Sequence, residues 1–129
     1  MASTVIANAY RTRMADFHTD PANAALLAPF GFMAFGDGGH NPDDTPKIAD
    51  PDAPGLFHEV LRKELHAVTR PGPYTVECEG RIEPGELVGV KVSEAALLDT
   101  EGRPVAFKTF APKVREADEL YQVFIEPLF

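Results

Sequence analysis

Hydrophobic and polar positions alternate in two different rhythms along this chain, and the change of rhythm near residue 70 organises the reading. In the first part, Val5, Ile6, Ala9, Tyr10, Met14 and Phe17 recur at spacings of three and four. That spacing predicts an amphipathic helix over 3–17, with Ser3 or Thr4 as its cap. Asp20-Pro21 reads as a second helix start, and Pro29 ends the short helix 22–28. Phe30 to Phe35 is apolar and aromatic, as in a buried strand, and Gly36-Asp37-Gly38-Gly39 closes it. A polar loop rich in Pro and Asp then occupies 36–54, with Ile48 as its expected anchor. Helical spacing returns over 54–68 through Leu56, Phe57, Val60, Leu61, Leu65 and Val68, and Arg70-Pro71-Gly72-Pro73 breaks it.

Beyond residue 73 the period falls to two. Tyr74, Val76 and Cys78 alternate with Thr75, Glu77 and Glu79, as in a strand with one wet face. Leu87, Val88, Val90 and Val92 lead into the strongest local signal in the chain. Two apolar runs, 95–98 and 105–110, flank Asp99-Thr100-Glu101-Gly102. Asp99 can bond its own backbone two residues on, and Gly102 tolerates a positive φ, so the stretch predicts a hairpin. Tyr121, Val123 and Ile125 share one face of a last strand. The expected class is α+β: N-terminal helices and one central helix packed on a mainly antiparallel sheet of about five strands.

Length and composition narrow the function. The 129 residues predict a single domain spanning 1–129. A net charge of −8 argues against nucleic acid, whose phosphates need clustered Lys and Arg. No apolar run approaches the ~20 residues that cross a bilayer, so no membrane partner is expected. The N-terminus lacks a basic n-region, and no secretory signal is expected. One cysteine, Cys78, allows no internal disulfide.

The candidate chemistry is sparse. His58-Glu59-Val60-Leu61-Arg62 approaches the zinc-hydrolase helix but places Arg62, a cation, where the second histidine belongs. On a helix, Glu59 would instead pair with Arg62 and Lys63. The cluster 36–44 offers Asp37, His40 and Asp43, yet its spacing matches neither a calcium loop nor a phosphate cradle. Cys78 falls in an alternating strand, and Ser3 and Ser93 lack a glycine elbow. Neither a metal nor a cofactor is expected, and no enzyme activity.

Three segments in order carry a resemblance. They are Phe32-Met33-Ala34-Phe35-Gly36-Asp37-Gly38-Gly39, then Leu56-Phe57-His58-Glu59-Val60-Leu61-Arg62, then Glu94 through Asp99 and Gly102 to Lys113. Together they resemble the N-terminal domain of phage tail fibre proteins of the tail-collar type, over roughly residues 22–127. Ala96 departs from the glycine usual there. The resemblance implies a virion tail protein made in the bacterial cytoplasm, docking a fibre onto a baseplate. It implies tail, baseplate or fibre proteins as partners, and a homo-oligomer is expected. Gly36, Asp37, Glu59, Arg62, Glu94, Asp99, Gly102 and Lys113 then read as structural motif residues. A fibre protein would continue into a shaft and a receptor-binding tip. This sequence carries neither, so the expectation is an attachment module and not a receptor binder. The expected interface lies on Tyr10, Met14 and Phe17 of the first helix and on Pro127, Leu128 and Phe129. The alternative is a small metal- or ligand-binding domain, enzymatic or not, using the 36–44 loop.

Overall fold

Strands dominate the chain and pair in register across long sequence distances. The computed structural model describes residues 3–127. Eight strands form two sheets. They are β1 (Ser3–Ile6), β2 (Phe30–Gly36), β3 (Glu59–Glu64), β4 (Ala67–Gly72), β5 (Thr75–Ile82), β6 (Lys91–Asp99), β7 (Pro104–Val114) and β8 (Tyr121–Ile125). The first sheet runs β1-β7-β6-β2-β3 and the second β4-β5-β8, with every pair antiparallel. The helical part is α1 (Asn8–Thr19) and a 3-10 turn over Pro21–Leu26. This corrects the expected class. The protein is mostly antiparallel β, not several helices packed on one sheet.

Two expected helices account for the difference. The first, over 3–17, begins as strand: Ser3–Ile6 pairs with β7 from Ser3↔Thr109 to Ile6↔Ala106. Thr4, Val5 and Ile6 are three successive β-branched residues, which favour an extended backbone. The helix starts only at Asn8. The second, over 54–68, is absent. Residues 59–64 pair with β2, Phe35 opposite Leu61 and Met33 opposite Lys63. The helical stripe of Leu56, Val60 and Leu61 was a coincidence of spacing that a long-range ladder overrode. Glu59, Arg62, Lys63 and Glu64 sit on a sheet edge, where charge discourages further pairing. Pro71 lies in β4, also an edge strand, where a missing N–H is tolerated.

The hairpin forms where the turn chemistry places it. The Asp99 carboxylate accepts from Glu101 N at 2.9 Å and Arg103 N at 2.9 Å, and Gly102 takes φ +79°. At the 3-10 turn, Asp20 caps Ala22 N at 2.9 Å.

The two sheets meet at a corner and close on one core. Leu65 N donates to Gly31 O of the first sheet, and His66 N donates to Glu79 O of the second. So β3 and β4 hand the chain from one sheet to the other in two residues. Buried Met33, Phe35, Leu97 and Val105 from the first sheet share a core with Cys78, Ile82, Val123 and Ile125 from the second. Gly80 lets β5 approach Met33 closely, and a Cβ there would overlap that side chain. Among the described residues the opposite side is not closed. There β1 and β8 are both edge strands, each paired on one side alone among the described residues.

Candidate functional site

The most constructed feature of the molecule is a buried carboxylate. Glu94 lies on β6, 1% exposed, in a strand buried from Val92 to Asp99. Its Oε2 accepts from Gly38 N at 3.0 Å and His58 N at 2.9 Å, and its Oε1 accepts from Phe57 N at 2.8 Å. A buried ionised carboxylate needs such donors, because leaving it unpaired costs far more than the bonds return. The glycines are required by the closeness. A Cβ on Gly36 would fall on the His58 carbonyl and Glu94 Oε2, and one on Gly39 would fall on the Ser93 carbonyl.

Around this carboxylate the 36–54 loop is tied down at many points. Gly39 N donates to Ser93 Oγ at 2.9 Å, and His40 Nδ1 lies 2.8 Å from the same hydroxyl. Lys47 N donates to Gly39 O, and Thr109 Oγ1 donates to Lys47 O at 2.5 Å. The Lys47 ammonium stands 4.4 Å over the Phe57 ring. Lys91 pairs with Asp44 at 2.9 Å. The loop rests on the core through Ala49 and, partly buried, Ala53, while Ile48 is 85% exposed, so Ile48 is not the anchor.

The loop's chemistry-bearing side chains point to separate partners. Asp37 bonds His58 Nδ1, Asp43 bonds Thr45, Asp44 bonds Lys91, and His40 bonds Ser93. Among the described residues no three of His, Cys, Asp or Glu gather as a metal site. The Ser93–His40 contact has the atoms of a nucleophile and its base. Ser93 is fully buried, however, and among the described residues no carboxylate bonds His40 to orient it. The hydrogen bond that His58 Nδ1–H donates to the Asp37 carboxylate raises the pKa of His58 above its ordinary value, on a ring open to solvent. Burial pushes the Cys78 thiol up to about 11, which leaves it unreactive as a nucleophile.

The remaining motif residues have local duties. Glu59 and Arg62 form a two-point pair at 2.9 and 3.1 Å on the exposed edge of β3. Lys63 pairs not with Glu59 but with Glu86, at 2.6 Å. Lys113 pairs with Glu119 at 3.0 Å and is distant in role from Glu94. Of the expected interface, Tyr10 is buried beside Phe30 and packs on its own domain. Met14 and Phe17 are half-buried and Pro127 is buried. Leu128 and Phe129 lie outside the described residues.

Sequence reading missed the donors at Phe57 and His58, because it placed them on a helix and nothing local points their N–H groups at a residue 37 and 36 positions away. It also missed buried Arg115, which donates to the carbonyls of Ile82, Glu83 and Glu119 and holds the approach to β8. No helix of the described residues is long and apolar enough to cross a membrane. No protein-family model matches the chain, and a search of curated proteins found no relative.

Proposed function

We propose that the chain is a non-catalytic structural module of a phage or prophage tail, docking a fibre or baseplate component. One observation carries this reading. The three segments that resemble the tail-collar domain lie far apart in sequence, yet they converge on Glu94. Its carboxylate binds the glycine turn at Gly38 and the second segment at Phe57 and His58, while belonging itself to the third. Their meeting at one buried carboxylate supports reading them as parts of a single motif. The same observation favours scaffold over catalysis, since the carboxylate is enclosed and its oxygens are engaged by backbone donors.

Tail, baseplate or fibre proteins are the partners on this reading, with the virion tail as its location and self-association as part of the assembly. The test is mass spectrometry of density-purified particles released by the source bacterium after prophage induction. The chain is expected in the particles at a stoichiometry similar to that of baseplate components. Its expression in the induced cells together with its absence from purified particles would overturn the reading.

A further inference from the structure

Among the described residues the edges of β1 and β8 face a groove on the open side of the sandwich. Between β1 and β8 lies a groove of about 700 Å³, lined by Thr4, Val5, Ile6, Lys108, Phe124 and Ile125 among others. The backbone directions on both banks follow from the hydrogen bonds. Ala7 N donates to Val105 O, so alternate residues of β1 face β7, and the N–H groups of Thr4 and Ile6 face the groove. The next even residue agrees, since Asn8 N turns away from β7 to donate to Pro51 O. On the other bank, Glu79 O accepts from His66 N on the β4 side, so Glu79 does not bond its β8 partner Phe124. The Phe124 carbonyl therefore points outward, where Lys108 Nζ reaches it at 3.0 Å. Both banks present main-chain groups toward the same gap, and an extended segment can pair there.

Charge selects among occupants. The chain carries −8 overall, yet two cations, Arg11 and Lys108, line this groove against one acid, Glu126. Arg11 makes no ion pair among the described residues. We infer that the β1–β8 groove binds an extended segment of a partner protein, added as a strand to β1, with apolar side chains toward Val5 and Phe124 and a carboxylate toward Arg11 and Lys108. A second copy of this chain is the less favoured occupant, because two copies each carrying −8 repel one another overall. The inference deepens the docking role by naming its mode and rests on that reading only for the partner's origin.

The test uses the purified full chain and a yeast-displayed library of random peptides of roughly ten residues, long enough to span a strand. Enriched peptides are expected to alternate apolar and polar residues around at least one Asp or Glu. Amide exchange at Thr4 and Ile6 is expected to slow by about tenfold or more when such a peptide is bound. Ile6→Pro and Thr4→Pro each remove a groove-facing N–H without breaking the ladder to β7, which an edge strand tolerates. Each, shown folded by circular dichroism, is expected to weaken binding about tenfold or more, and Lys108→Glu likewise. Val68→Asp, on the distant edge strand β4, should leave affinity unchanged. Three results would overturn the inference: no peptide tighter than about 100 μM, enriched peptides that bind the proline variants like the parent, or protection at β4 instead of β1. Strand addition in this assay alongside absence from tail particles would leave the groove's role standing and remove only the tail assignment.

Discussion

Replacing Glu94 by glutamine is the sharpest probe of how this fold is held. The change removes the charge and keeps the shape. If the amide oxygen takes the place of Oε2, it retains the bonds to Gly38 N and His58 N. The amide nitrogen then confronts Phe57 N, donor against donor, where a 2.8 Å bond had been. A charge-assisted bond contributes about 1.5–3 kcal/mol, and the two retained bonds weaken toward the ~1 kcal/mol of neutral ones. Water at half-exposed Phe57 recovers part of the loss. The expected cost is about 3 kcal/mol, a large share of the ~5–15 kcal/mol of a domain this size. With a urea m-value of about 2 kcal/mol/M, the midpoint falls by about 1.5 M. Hydrogen exchange should quicken at Gly38, Phe57 and His58 together, because one carboxylate protects all three. Glu59→Gln, on an exposed pair, serves as the control and should cost ~0–1 kcal/mol. A Glu94→Gln stability within about 0.5 kcal/mol of the parent, or unchanged exchange at those amides, would show that the carboxylate does not hold the loop.

Other expected outcomes follow from the same geometry. Gly36→Ala should cost about 2–3 kcal/mol, because its Cβ meets a backbone carbonyl that cannot step aside, whereas Gly55→Ala, with open space around it, should stay within about 0.5 kcal/mol by urea melts. By NMR titration, His58 should show a midpoint above the ordinary ~6.5, and Asp37→Asn should bring it down. Because the folded pKa is the higher one, the pair's stabilisation is complete below the unfolded value and fades as pH rises through the folded value. An identical midpoint in both proteins would remove the pair from the account. Cys78 should resist a thiol reagent at pH 8 in the folded chain and react on unfolding, and rapid labelling of the native protein would contradict its burial.

Local chemistry was legible wherever the sequence neighbours of a residue decide its conformation. Asp99 and Gly102 make their turn with atoms a few positions away, and Asp20-Pro21 caps its own short turn, so both were readable. The strand 30–35 and the long loop after it were readable for the same reason. Residues 59–64 were not. Their spacing satisfies a helix, and only pairing with β2, some thirty residues upstream, makes them a strand. The first residues misled differently: Thr4-Val5-Ile6 carried a β signal, but the helical stripe that follows absorbed it.

The order of apolar and polar residues was enough to mark the β-rich second half and its hairpin. Which residues meet across the sheets depended on long-range folding. A glutamate in an apolar strand declares nothing about its partners. Folding brings the N–H groups of Gly38, Phe57 and His58 to Glu94 because the hydrophobic burial of β2 and β6 aligns them, and the low-dielectric interior then requires the carboxylate to be satisfied. The groove between β1 and β8 is likewise invisible along the chain, since two strands at opposite ends of the sequence become its banks only when both sheets close on one core.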